Sequence, residues 1–92
     1  MDSVFKALSD PTRRKILQLL KKKDMTVSEI LEHFPISQPS LSHHLDTLKR
    51  AGLVIPERSG QFIVYSLNLS VFEEAEACIL HFFSNDQKDP VS

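Results

Sequence analysis

The sequence predicts a mainly α-helical domain with one small β-hairpin, in the order α-α-α-α-β-β-α. Three observations carry this expectation. Apolar residues recur at helical spacing in successive segments, and helix-start signals open four of them. Two short β-type runs, Leu53 to Arg58 and Gln61 to Leu67, stand side by side and are joined at Ser59-Gly60. The 92 residues allow one domain, taken as residues 1–85, with 86–92 as a polar, disordered tail.

The first segment, Ser3 to Ser9, is a short helix with Val4, Phe5 and Leu8 on one face. Asp10-Pro11 starts the next, with Asp as N-cap and Pro at the first helical position, where its missing N–H costs nothing. That helix runs to about Lys22 and buries Ile16, Leu17, Leu19 and Leu20. Thr26-Val-Ser-Glu29 is a capping box opening a third helix through Ile30, Leu31 and Phe34, which Pro35 ends. Ser37 caps a fourth helix, with Gln38 and Pro39 in its first turn and Gly52 as its C′ glycine. Two helices, 26–34 and 38–51, joined by a short turn make a helix-turn-helix. Ser70-Val-Phe-Glu73 reads as a capping box for the last helix.

The fourth helix carries the strongest functional signal. Leu41, Leu45 and Leu48 form its apolar stripe, and Ser40, Ser42, His43, Asp46, Thr47 and Arg50 occupy the other side. A polar-faced helix leading into a hairpin with a basic tip suits insertion into a DNA groove. Net charge is only −1, but its distribution is uneven. Residues 1–67 hold ten Lys/Arg against seven Asp/Glu, whereas 68–92 hold one against five. Arg13, Arg14, Lys15, Lys21, Lys22 and Lys23 cluster with no acid between them, which suggests a DNA-facing body and an acidic helix turned away.

The last helix is too apolar to pack on its own domain alone. Nine of the thirteen residues from Val71 to Phe83 are apolar, more than one stripe requires, so a second apolar surface is expected. Val71, Phe72, Ala75, Cys78, Ile79, Phe82 and Phe83, with Val4, Phe5 and Leu8 of the first helix, form the candidate interface of a homodimer.

The segments Ser37-Gln…Leu-Ser-His-His-Leu-x-x-Leu-x-x-Ala-Gly-Leu-Val and Arg58-x-Gly-x-x-x-x-Tyr-x-Leu67 together resemble the recognition helix and wing of ArsR-type winged-helix repressors. Phe5-Lys-Ala-Leu-Ser-Asp-Pro-Thr-Arg-Arg-Lys-Ile-Leu-Gln-Leu-Leu20 is similar to the start of the same family. The resemblance spans about residues 3–83 and points to its compact, SdpR-like branch without metal-binding residues. It implies a dimeric winged helix-turn-helix that represses transcription from an inverted-repeat operator. Gln38, Ser40 and His43 are then candidates for base-edge contacts, and Ser37, Ser42, Lys49 and Arg50 for phosphate contacts. Arg58, helped by Gln61, is placed at the wing tip, reaching the minor groove or its phosphates.

Other classes fare worse. Metal-sensing relatives carry thiols in the first helix of the helix-turn-helix, and here Met25 to Leu31 contains none. A second family site, on the last helix, would fall on Leu69, Val71, Phe82 and Asn85, which offer no donor set, so no metal or other cofactor is expected. Cys78 and His81 stand at i, i+3, but two donors make an incomplete site. Adjacent His43 and His44 diverge on a helix: His43 reads as groove-facing and His44 as partly buried. Cys78 reads as a small, inert hydrophobe. No phosphate loop, nucleophile elbow or triad points to an enzyme. The single cysteine and the absence of a signal-peptide pattern or spanning apolar run favour a cytoplasmic protein with no membrane insertion. Two alternatives stay open: a dimeric interaction module of the same fold that does not use DNA, and a sensor whose effector or protein partner binds between the last helices.

Overall fold

The computed structural model describes the backbone of residues 2–88 and the side chains of residues 2–81. Its elements are α1 (Asp2–Leu8), α2 (Pro11–Lys22), β1 (Met25–Thr26), α3 (Val27–Leu31), α4 (Gln38–Arg50), β2 (Val54–Ser59), β3 (Phe62–Leu67) and α5 (Leu69–Lys88). The fold is a mainly helical winged helix-turn-helix. Asp10 caps α2 by accepting from the Arg13 N–H, and both halves of the Thr26/Glu29 capping box form at α3.

Four differences from the sequence reading have physical causes. First, β1 is an added strand: Met25 pairs with Tyr65 and Thr26 with Val64, giving an antiparallel sheet in the order β1-β3-β2. Two residues are too few to show an alternation, and their partner is remote in sequence. Second, α3 ends at Leu31, not Phe34. His33 and Phe34 instead donate to Ile30 and Leu31 in tight i→i+3 turns, because Pro35 keeps the residue before it out of the α region. Third, α5 begins at Leu69. The Phe72 N–H donates to the Asn68 carbonyl at 3.0 Å, so Asn68 is the N-cap and Ser70 lies inside the first turn. Fourth, α5 continues to Lys88, three residues into the expected tail; residues 89–92 lie outside the described residues.

The core sits where the helices meet. Ile16, Leu17, Ile30, Leu41, Leu45, Leu48 and Leu53 are fully buried, and Val4, Ala7, Phe72 and Ala75 join the same cluster. Fully burying each such side chain contributes about 1.5–3 kcal/mol. The three leucines of α4 therefore set the helix's rotation about its axis and decide which side faces out.

Candidate nucleic-acid interface

Both ends of α4 are locked. The Ser37 hydroxyl accepts from the Ser40 N–H at 3.3 Å, with Pro39 in the first turn. At the other end the Gly52 N–H donates to Lys49 and the Leu53 N–H to Leu48, a Schellman closure that needs the left-handed φ of +78° at Gly52. With Leu41, Leu45 and Leu48 inward, His43, Asp46 and Arg50 lie opposite the core. Gln38, Ser42 and Lys49 flank that line on one side, Ser40 and Thr47 on the other. Ser37, Gln38, Ser40, Ser42, His43, Lys49 and Arg50 are all exposed. Two of them have intramolecular commitments. The Ser37 hydroxyl is spent on the cap, and Arg50 Nε is 3.0 Å from Asp46 Oδ2.

The hairpin is closed one residue later than expected. Ser59 pairs with Phe62, so the two-residue loop is Gly60-Gln61, and Gly60 takes the positive φ of +63°. Gln61 is thus the tip. Arg58 stands one pair behind it, opposite Ile63, and is exposed.

A polar hub joins α4 to the N-terminal helices. Arg13 donates from Nε to the Ala7 carbonyl at 2.8 Å and from Nη2 to the Lys6 carbonyl at 3.2 Å, and its Nη1 lies 3.2 Å from His44 Nδ1. Asp10 Oδ2 accepts the Arg13 N–H at 3.1 Å and is 3.9 Å from the same imidazole nitrogen. Desolvation pushes the Asp10 carboxyl up, but the Arg13 N–H, the charges of His44 and Arg13, and the Thr12 N–H together hold it below its ordinary value. His44 is half-buried, as its position beside the leucine stripe predicts; its partners were not visible in the sequence.

Part of the basic cluster is engaged within the chain. Arg13 and Arg14 cap the last carbonyls of α1, Arg14 through Leu8 at 2.8 Å. Lys15 lies over the Phe34 ring and Lys21 over the Phe72 ring, at 5.4 and 5.5 Å from the centroids. Four of the six charges thus serve intramolecular packing.

The candidate interface residues divide as well. Val4, Phe72 and Ala75 are buried within the single chain. Leu8, Val71 and Ile79 are half-buried, and Phe5 and Cys78 are exposed in the single chain. Leu80 is 67 % exposed. The side chains of Phe82 and Phe83 lie outside the described residues. Leu8, Leu17, Phe72, Ala75 and Ile79 line an apolar cleft between α5 and the N-terminal helices. Among the described residues no group of three or more His, Cys, Asp or Glu is placed to hold a metal ion.

Residues 10–55 match the family model described as "Bacterial regulatory protein, arsR family". The chain is 54% identical to the transcriptional repressor SdpR of Bacillus subtilis (strain 168) over 89 residues, covering 97% of this chain and 99% of that protein. It is 41% identical over 68 residues to an arsenical resistance operon repressor of Staphylococcus xylosus, covering 74% of this chain and 65% of that one. A solved structure described as a possible transcriptional regulator for arsenical resistance superposes with a TM-score of 0.82 at 32% identity, covering 100% of this chain and 97% of that one.

Proposed function

The chain belongs to the ArsR family of bacterial regulatory proteins, and from that premise we propose that it is a homodimeric, sequence-specific transcriptional repressor acting on an inverted-repeat operator. The observation that carries the reading is α4: capped at both ends, rotated by three buried leucines, and presenting Gln38, Ser42, His43, Lys49 and Arg50 outward beside the exposed Arg58 and Gln61 of the hairpin. Such a helix fits a major groove, where Gln38 can pair bidentately with adenine while Lys49 and Ser42 meet phosphates. Two copies related by a two-fold axis would read two half-sites, which makes a palindrome the natural target. No helix among the described residues is long and apolar enough to cross a membrane.

We also read it as unresponsive to metals, since neither the α3 stretch nor the described part of α5 brings a donor set together. The test is selection from a randomised duplex library with the purified protein, with sedimentation of the resulting complex. Enrichment of an inverted repeat bound by two chains supports the proposal. Failure to enrich any sequence at 0.1 M salt, where the Debye length is about 10 Å, would sink it.

A further inference from the structure

We propose that the cleft between α1 and α4 seats a backbone phosphate of the bound DNA, with Lys6 as its principal charge, so that the footprint extends past the recognition helix and wing onto α1. The inference rests on the DNA-binding reading above. The cleft is lined by Ser3, Lys6, Arg13, His43, Thr47 and Arg50. No carboxylate lines it, and two acids close by are already engaged: Asp46 with Arg50, and Asp10 with Arg13 and His44. Lys6 is exposed, and among the described residues no acid lies within ion-pair distance of its ammonium. Arg13 uses three of its five N–H donors on Lys6, Ala7 and His44, leaving one on each Nη. Arg50 is held through Nε alone, so both of its Nη groups stay available.

Rigidity is the second argument. Arg13 grips the carbonyl of Lys6 itself and reaches His44 on α4 with the same guanidinium. Lys6 is therefore held in fixed register with His43 and Thr47, not carried on a loose terminus. The cleft lies on the Ser40/Thr47 flank of α4, across the outward-pointing line from Gln38 and Lys49. A groove-bound helix has a sugar-phosphate strand along each flank, so the Lys6 wall of the cleft lies toward backbone while His43, on the opposite wall, faces the groove. Cations beside the Ser3 hydroxyl match a phosphodiester, whereas the Thr47 hydroxyl already donates to the His43 carbonyl at 3.1 Å.

The test uses full-length protein and the duplex enriched from the randomised library, with binding followed across a salt series. Lys6→Gln should weaken enriched and scrambled duplexes alike, by about five-fold per protomer at 0.15 M salt, and lower the salt slope by about 0.9 per protomer. Lys6→Arg should bind like wild type. One methylphosphonate, placed at the contacted position in each half-site, should erase the gap between wild type and Lys6→Gln while leaving the loss in Arg58→Ala intact. A Lys6→Gln protein that is folded by circular dichroism and binds like wild type at every salt concentration overturns the cleft and leaves the DNA reading standing. A wild-type protein that binds no duplex brings both down.

Discussion

Nη1 of Arg13 on α2 lies 3.2 Å from Nδ1 of His44 on α4. A guanidinium can only donate, so this contact is a hydrogen bond in the tautomer that carries its ring proton on Nε2. One side chain thereby joins the carbonyl end of α1, the start of α2 and the middle of α4. Helix α4 is tied to the N-terminal helices by a polar link as well as by apolar packing.

Arg13→Ala should remove all three side-chain bonds and lower stability by roughly 1.5–3 kcal/mol, the usual worth of hydrogen bonds to a charged group. Arg13→Lys should recover little, because one ammonium cannot match the planar fork. Urea denaturation checks both. A midpoint for Arg13→Ala equal to wild type would mean that the clamp is idle.

Gln38→Ala and His43→Ala should each cost about 1–3 kcal/mol on the selected duplex and relax preference at one base position. Lys49→Ala and Arg58→Ala should instead weaken all sequences and reduce the salt slope by about one per lost contact. Gel-shift series on matched and scrambled duplexes separate the two patterns. Wild-type binding by both Gln38→Ala and His43→Ala would show that the wrong face of α4 was chosen.

Zn(II), Cu(I), Ni(II) and As(III) should leave operator affinity unchanged. A stoichiometric metal in purified protein, with tenfold weaker DNA binding on loading, would contradict this.

The two apolar ends of the α5 surface should respond differently to charge. Phe72 is buried against the core of its own chain, so Phe72→Glu should unfold the protein. Ile79 is half-buried at the edge of the cleft, so Ile79→Glu should leave the helical circular dichroism intact while dissociating the dimer and abolishing tight DNA binding. Sedimentation of wild type as a monodisperse monomer at micromolar concentration would refute the dimer itself.

Acid should destabilise the fold through two caps. The carboxyl of Asp10 is held below its ordinary 3.8, and that of Glu29 below 4.5 by the Thr26 N–H and hydroxyl. A depressed folded-state value means fewer protons bound when folded, so this stability is fully present at neutral pH. It fades once the pH drops beneath the ordinary values and is gone below the folded ones. The double variant Asp10→Asn, Glu29→Gln should show a flatter stability profile between pH 5 and 2, about the range over which carboxylates titrate. A profile parallel to wild type would remove these caps as the cause.

Much of the architecture was legible because its signals are local. Asp10-Pro11, Thr26 to Glu29, Ser37 to Pro39 and Gly52 each act within one turn of their own helix, and the structure realises them there. The rotation of α4 was also legible, since Leu41, Leu45 and Leu48 set it by spacing alone. What depended on distant partners was not. β1 exists because Met25 meets Tyr65, and the N-cap of α5 is Asn68, whose N–H bonds the Leu53 carbonyl at 2.8 Å. The basic run from Arg13 to Lys23 looked like a DNA-facing patch, yet its use was decided by what the fold set beside it: the open carbonyls of α1, the His44 imidazole, and the rings of Phe34 and Phe72. Charge and periodicity are properties of a segment, whereas the partner that consumes a charge is chosen only when helices pack. The sequence alone determined the helix caps, the leucine stripe and the polar face of α4; the tertiary structure alone decided which cations are engaged within the chain, and it sets Lys6 in the cleft beside that face.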